Sequence, residues 1–320
     1  MIADKAGASR PPARRLAGLA LGALALTATL AAAGCGPNAG TTTKKGTIAV
    51  VAAENEYGNV AGQIGGRYVT VTSIESNPNT DPHEYEVSPG VAGEVATAEV
   101  VIQNGIGYDD FMTKIESASP NPERKVIDVQ QLLRLPDSTP NPHLWYSPGT
   151  MPKLARALAA DLGALQPSHA SYFEANASRF VSSLRPWLQA VARFKAAHPG
   201  TPVATTEPVA DYMLEAAGTD DLTPFGLQAD IMNGVDPSPE DVAFQTSLFT
   251  QHRVKVFVYN QQVTDSLTQS FIAAARKAGI PVVGVYETMP VPGYDYQTWM
   301  LAEVEALSRA VVDGTSTVRL

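Results

Sequence analysis

The sequence predicts an α/β protein with two lobes, each built on a mainly parallel sheet, joined by one long helix. In both halves of the 320-residue chain, short β-rich apolar runs alternate with helical segments, as in parallel sheets covered by helices. Residues 168–198 lack glycine and carry an apolar stripe at helical spacing. The length suits two domains, and 44% hydrophobic residues suffice for packed cores.

The N-terminus has the order of an export signal. Four basic residues lie within the first 15, and an uncharged run from Leu16 to Ala33 follows that is short for a membrane span. The run ends in small residues before Cys35 and resembles a bacterial lipobox, although Ala32 occupies the position that usually holds Leu. We predict a lipoprotein signal peptide at residues 1–34 and a lipidated Cys35, followed by a flexible tether to residue 46. The alternative is an ordinary cleaved signal with a coincidental cysteine.

The predicted N-terminal lobe covers residues 47–167. Its strands are Thr47–Ala53, Tyr68–Ile74, Glu99–Gln103 and Lys125–Val129, and its helices are Glu54–Ile64, Pro89–Ala98, Asp109–Ser117 and Pro152–Leu165. Each strand is short and apolar, and Gly65-Gly66 closes the first helix.

The connecting helix is predicted over residues 168–198, and its apolar positions run from Phe173 to Val191 along one face. Pro186 lies inside this segment. Because an interior proline costs about 3 kcal/mol, we expect a kink or a break there.

The predicted C-terminal lobe covers residues 199–320. Its strands are Thr201–Thr205, Val254–Tyr259 and Pro281–Tyr286, and its helices are Pro208–Ala217, Pro239–Gln251, Asp265–Ala278 and Tyr294–Val312. The same alternation predicts a second parallel sheet.

The composition excludes several classes of function. The net charge of −9 argues against nucleic-acid binding and favours cations as partners. A single cysteine excludes an intramolecular disulfide and a cysteine-based zinc finger. The chain contains no G-x-S-x-G, Walker A or H-E-x-x-H motif.

Two matching tripeptides are the strongest candidates for chemistry. Asp81-Pro82-His83 and Asn141-Pro142-His143 each lie after a predicted strand and before a predicted helix. Ligands of open α/β sheets bind at such loops, and imidazole suits Zn²⁺, Mn²⁺ and related ions. The pair predicts a metal site; two turn histidines with hydrogen-bonding roles are the alternative.

From about Thr47 to the C-terminus, the sequence resembles the zinc/manganese solute-binding lipoproteins of ABC-type importers. The resemblance rests on a set of short motifs taken together: Ile64-Gly65-Gly66, Asp81-Pro82-His83-Glu84-Tyr85, Asn104-Gly105-Ile106-Gly107-Tyr108, Asn141-Pro142-His143-Leu144-Trp145, and Tyr172 with Asn176. In that family, two α/β lobes joined by a rigid helix hold a metal in the cleft, with two ligands from each lobe.

The resemblance implies four metal ligands. His83 and His143 match the two ligands of the first lobe. Glu207 takes the third position, which is His or Glu in the family and lies five residues before an aromatic residue, here Tyr212. Glu287 is the candidate for the fourth position, which is normally Asp, with Asp295 as a less favoured substitute.

The resemblance further implies an extracytoplasmic, lipid-anchored protein that captures Zn²⁺ or Mn²⁺ and delivers it to an ABC permease. We expect a monomer held at the cytoplasmic membrane by its lipid, with no nucleic-acid partner and no enzymatic activity. The sequence leaves the metal open. Zinc-type members of the family often carry a histidine-rich loop before the second ligand histidine, and the matching residues here, 128–139, contain no histidine. Against this, zinc outcompetes manganese at most such sites. The rival functions are an adhesin-like metal lipoprotein and a zinc-dependent hydrolase.

Overall fold

The computed structural model describes residues 46–320. The predicted signal peptide, Cys35 and all of the predicted tether except Gly46 lie outside the described residues. Within residues 46–320, no helix combines the length and the apolar character needed to span a bilayer.

The first sheet has four parallel strands in the order β2-β1-β3-β4. The strands are β1 (Ile48–Glu54), β2 (Val69–Glu75), β3 (Val100–Gln103) and β4 (Lys125–Asp128). The helices of this part are α1 (Asn55–Gly65), α2 (Pro89–Thr97), α3 (Asp110–Ala118), α4 (Val129–Leu133) and α5 (Thr150–Leu165). The four strands and four helices expected in this region are therefore present, and α4 is an additional short helix.

The turn between α1 and β2 shows why two glycines follow each other there. Gly66 ends α1 with a φ of +54°, a conformation that costs glycine little. At Gly65, an added Cβ would lie 2.2 Å from a methyl group of Val69. Both glycines are therefore needed for the short turn between α1 and β2.

The second sheet repeats the parallel arrangement in the order β6-β5-β7-β8. The strands are β5 (Pro202–Thr205), β6 (Asp220–Asp221), β7 (Val256–Asn260) and β8 (Val282–Val285). We did not expect β6, because two acidic residues carry no apolar strand pattern.

The helices around this sheet are α8 (Asp211–Ala216), α9 (Phe225–Met232), α10 (Pro239–Thr250), α11 (Ser266–Lys277) and α12 (Tyr296–Asp313). Of these, α9 was not expected. It is two turns long and directly follows Pro224, which the sequence pattern places in a loop.

The connecting segment predicted over residues 168–198 is divided into α6 (Ala170–Ser183) and α7 (Arg185–Ala197), at the proline where we expected a kink or a break. Pro186 lies in the first turn of α7. Its ring nitrogen has no proton to donate to the carbonyl group of Ser182, so the hydrogen-bond ladder is interrupted and a new helix starts at the proline. The two helices have different neighbours: α6 packs against α1 and α5, whereas α7 packs against α8 and α12.

One hydrophobic core runs through both sheets and the connecting helices. It includes Val50 of β1, Phe173 of α6, Trp187 of α7 and Val256 of β7. Trp145, Trp187 and Trp299 are fully buried in it. The lobes are therefore joined by shared packing as well as by the chain.

Candidate metal centre

The four predicted ligands come from loops at the carboxyl ends of the strands or close to them. His83 lies in a turn after β2, and His143 immediately precedes a single turn of 3₁₀ helix at Leu144–Tyr146. Glu207 and Glu287 each lie two residues beyond the last residue of a strand, β5 and β8 respectively. This is the edge at which parallel α/β sheets bind their ligands.

Three of these residues are brought together across the two lobes. The Nε2 atom of His83 lies 3.2 Å from Oε2 of Glu287, and the Nε2 atom of His143 lies 3.3 Å from the same oxygen. The ligand atoms of these three residues all lie within 4.8 Å of one another. Among residues 46–320, no other group of three or more His, Cys, Asp or Glu side chains is placed in this way.

Glu207 is not part of that group. Its side chain is buried, and neither carboxylate oxygen has a hydrogen-bond partner within the described part of the chain. Burial raises the pKa of this carboxyl well above its usual range, and the charge of Glu287 adds to the effect. A buried carboxylate without a partner is costly, and a bound cation would satisfy it.

Glu287 is held in place from several directions. Tyr108 donates its hydroxyl proton to Oε2 over 2.9 Å, and the amide of Asn260 donates to Oε1 over 2.5 Å. Burial alone would raise the pKa of this carboxyl, but the neighbouring His143 and His83 outweigh it and hold the pKa well below the usual range. The residue is therefore an anion, the form in which a carboxyl group binds a metal.

The loop that carries Glu287 is fastened to its surroundings on both sides. The backbone N–H groups of Glu287 and Thr288 donate to Oε1 of Gln262 over 2.7 and 2.9 Å. The side-chain amide of Asn55, at the start of α1, exchanges two hydrogen bonds with the backbone of Met289, at 2.9 and 3.0 Å. The fourth predicted ligand is thus tied to both lobes.

A further buried acid lies behind the centre but adds little charge to it. Glu75 ends β2 in register with Glu54 of β1, and its oxygens have no hydrogen-bond partner among the described residues. Burial, followed by the charge of Asp109, raises the pKa of Glu75 to about 9. Glu75 is therefore protonated at neutral pH.

Asp295, the alternative to Glu287, has a different role. It caps the N-terminus of α12, where its carboxylate accepts hydrogen bonds from the backbone N–H and the hydroxyl of Thr298. Its ligand atoms are not in the group formed by the two histidines and Glu287. The geometry therefore favours Glu287.

Three polar residues of the site were missed in the sequence: Tyr108, Asn260 and Gln262. The motif that includes Tyr108 was noticed without a role for its hydroxyl. Asn260 and Gln262 lie at the end of β7 and just beyond it, so polar amides directly after a buried strand were the available signal.

Comparison with known proteins identifies the family of this chain. The family model described as "Zinc-uptake complex component A periplasmic" matches residues 50–310, well over half of the sequence. The chain belongs to this zinc-uptake component A family. The family captures a divalent metal outside the cytoplasm for import, which confirms the prediction of metal capture and disfavours the adhesin and hydrolase alternatives.

Individual relatives agree with membership of the zinc-uptake component A family. The manganese-binding lipoprotein MntA of Bacillus subtilis (strain 168) is 25% identical over 271 residues, covering 80% of this chain and 85% of the relative. The Mn-bound periplasmic metal binding protein from Candidatus Liberibacter asiaticus has a TM-score of 0.68 at 21% identity, covering 83% of this chain and 100% of that one. A crystal structure of ZnuA gives a TM-score of 0.66 at 20% identity, covering 82% and 98%. These structures confirm the fold of two α/β lobes.

Proposed function

We propose that this protein captures one Zn²⁺ or Mn²⁺ ion between its lobes and delivers it to an ABC permease. The ligands are His83, His143, Glu207 and Glu287. The observation that carries this proposal is that two imidazoles of the first lobe and a carboxylate of the second converge within 4.8 Å. The buried, unpartnered carboxylate of Glu207 supplies the fourth donor.

The donor set suits a divalent ion. Two neutral imidazoles and two carboxylates balance a charge of +2, which makes burial of the ion affordable. The absence of a thiolate makes the site harder than a structural zinc site and compatible with either metal. The family description refers to zinc, and the Bacillus relative is named for manganese, so both remain candidates for this chain.

The location of the protein follows from the export signal. Residues 1–34 direct the chain out of the cytoplasm, and a lipid on Cys35 holds the monomer at the membrane through the tether at residues 35–46. The lobes are residues 47–167 and 199–320, with residues 168–198 connecting them. The relative from Bacillus is named as a lipoprotein, which supports the anchor.

Metal content tests the proposed function directly. The protein is purified from its own envelope without a chelator, and its metals are measured by mass spectrometry. We expect one equivalent of zinc or manganese in the native protein and less in a Glu287→Ala variant. The matched control is Asp295→Ala, which removes a carboxylate that caps a helix. A native protein without either metal contradicts the proposal.

A further inference from the structure

Asn141 contacts both lobes through one side-chain amide. Its Oδ1 atom lies 3.0 Å from the backbone N of His143 and 2.8 Å from Nδ1 of the same histidine. Its Nδ2 atom donates to the carbonyl oxygen of Pro208 over 2.7 Å. The side chain is buried, with 7% of the residue exposed, so each of these contacts replaces a hydrogen bond to water.

Two backbone groups fix which way round this amide lies. The backbone N–H of His143 can only donate, so the amide atom facing it must be the oxygen. The carbonyl of Pro208 can only accept, so the amide atom facing it must be the nitrogen. The two requirements agree, and they leave a single orientation for Asn141.

The orientation of Asn141 in turn fixes the proton on His143. Because Oδ1 only accepts, Nδ1 of His143 must carry the proton and donate it. The other ring nitrogen, Nε2, faces Oε2 of Glu287 at 3.3 Å, on the side where the three ligands converge. A neutral imidazole has one N–H, and the shorter contact, 2.8 Å from Nδ1 to Asn141, places that proton on Nδ1 and leaves the lone pair on Nε2.

We propose that Asn141 is a positioning residue that holds His143 as the Nδ1–H tautomer and thereby presents Nε2 to the metal. The part of this inference that concerns the metal rests on the proposed function; the tautomer does not. Metal-bound histidines commonly depend on such a hydrogen bond to the second ring nitrogen.

The same amide also links the two halves of the site. Pro208 directly follows Glu207, so the hydrogen bond from Asn141 fixes the backbone beside the third ligand. The hydroxyl of Tyr212, in α8, returns a hydrogen bond to the carbonyl of Asn141 over 2.9 Å. Asn141 thus fixes His143 and the Glu207 loop relative to each other before a metal binds. This lowers the conformational entropy that metal binding would otherwise cost.

Two substitutions separate these contributions. Asn141→Leu removes both the acceptor for His143 and the donor for Pro208. Asn141→Asp keeps an acceptor for the imidazole but cannot donate to Pro208. The matched control is Asn121→Leu, because Asn121 also precedes a proline and accepts the N–H two residues later, at 3.0 Å, on an exposed turn outside the group of three ligands.

The tautomer is measured in metal-free protein by ¹⁵N NMR of the imidazole rings at about pH 8, above the ordinary histidine pKa of about 6.5. The chain has five histidines, and a His143→Gln variant identifies the signals of His143. We expect Nδ1–H in the native protein, in Asn141→Asp and in Asn121→Leu. In Asn141→Leu we expect a substantial Nε2–H population, since a free neutral imidazole favours that form.

Metal affinity is then measured on the same proteins by competition with a chromophoric chelator, using Zn²⁺ and Mn²⁺ separately. We expect Asn141→Leu to weaken binding about 10- to 100-fold, with Asn141→Asp closer to the native protein and Asn121→Leu unchanged. An Asn141→Leu protein that keeps the Nδ1–H tautomer overturns the inference, as does an Asn141→Asp protein that loses it. If the native protein shows the tautomer but binds neither metal, the proposed function fails instead.

Discussion

The two Pro-His turns have the same backbone design but different environments. In each, the residue before proline uses a side-chain oxygen to accept the N–H of the histidine, over 2.9 Å at Asp81 and 3.0 Å at Asn141. The side chain of His83 is nevertheless 23% exposed, whereas that of His143 is fully buried. One turn therefore presents an accessible ligand and the other a fixed one.

The difference between Asp and Asn contributes to this contrast. An amide can accept from the histidine and donate elsewhere at the same time, whereas a carboxylate only accepts. Asn141 uses its donor to reach the other lobe, and Asp81 has no such donor. The lesson is that a repeated motif can have distinct roles when one polar atom differs.

The electrostatics of the two histidines also differ. Burial opposes protonation of both. At His83, the hydrogen bond and the charge of Glu287, with Asp81 adding to them, outweigh burial and raise the pKa. At His143, burial prevails over Glu287, and the pKa is lowered. Protons therefore compete with the metal first at His83.

The largest effect expected is metal-dependent stability. Because the ligands come from both lobes, the metal binds the folded state and not the unfolded chain. At a thousandfold excess of metal over Kd, we expect about 4 kcal/mol of stabilisation. Thermal unfolding with and without Zn²⁺ or Mn²⁺ measures it. An unchanged Tm with both metals shows that the two turns do not share an ion.

The next largest effect separates the fixed ligand from the accessible one. We expect His143→Ala to weaken metal binding by more than about 100-fold, beyond the loss typical of a residue that only supports a ligand. His83→Ala should cost less, because an exposed side chain loses more freedom when it binds.

Calorimetric titration of the two variants tests this order. The control is His252→Ala, since His252 lies just beyond α10 and outside the group of three ligands. If His143→Ala and His83→Ala lose equal metal affinity, the distinction between a fixed and an accessible ligand is wrong. If His252→Ala loses the metal, the site lies elsewhere.

The pH dependence of affinity sharpens the comparison further. A bound imidazole must be neutral, so each competing proton lowers the apparent affinity by up to about tenfold per pH unit below its pKa. As pH falls, His83, with the raised pKa, protonates first, and His143 protonates only in more acidic solution. The proton of Glu207, whose pKa is also raised, competes equally in both variants.

We therefore expect His83→Ala to flatten the dependence near neutral pH, and His143→Ala to leave that part of the curve nearly intact. Titrations of each protein at several pH values decide between these outcomes. If His143→Ala flattens the curve near neutral pH and His83→Ala does not, the opposite pKa shifts inferred for the two histidines are wrong.

The smallest effect concerns Asp81. Asp81→Asn keeps an oxygen that accepts the N–H of His83 and removes only a charge near a partly exposed histidine. Such charges contribute roughly 0.5 kcal/mol, so we expect a change in affinity of about twofold. A competition assay against the native protein measures it. A loss as large as that of Asn141→Leu indicates that Asp81 has a role equivalent to that of Asn141.

Local patterns predicted most of the fold, and the repetition of a similar tripeptide led to His83 and His143. The division of the connecting helix was foreseeable from Pro186, because the proline's missing N–H is a local property. Strand β6 was not foreseeable, since a pair of acidic residues becomes a strand only beside β5. The contacts of Tyr108 and Asn260 with Glu287 join residues distant in sequence, which no local pattern shows.

The shared hydrophobic core has a consequence for recombining members of this family. A chimera that joins the first lobe of one relative to the second lobe of another would create a new interface inside the core. Trp187 of α7 and Tyr296 of α12, which meet edge to face with ring centroids 6.0 Å apart, would then face partners of another shape. A viable exchange has to move α7 and α12 together with the second sheet, so the segment that must be exchanged is larger than either lobe.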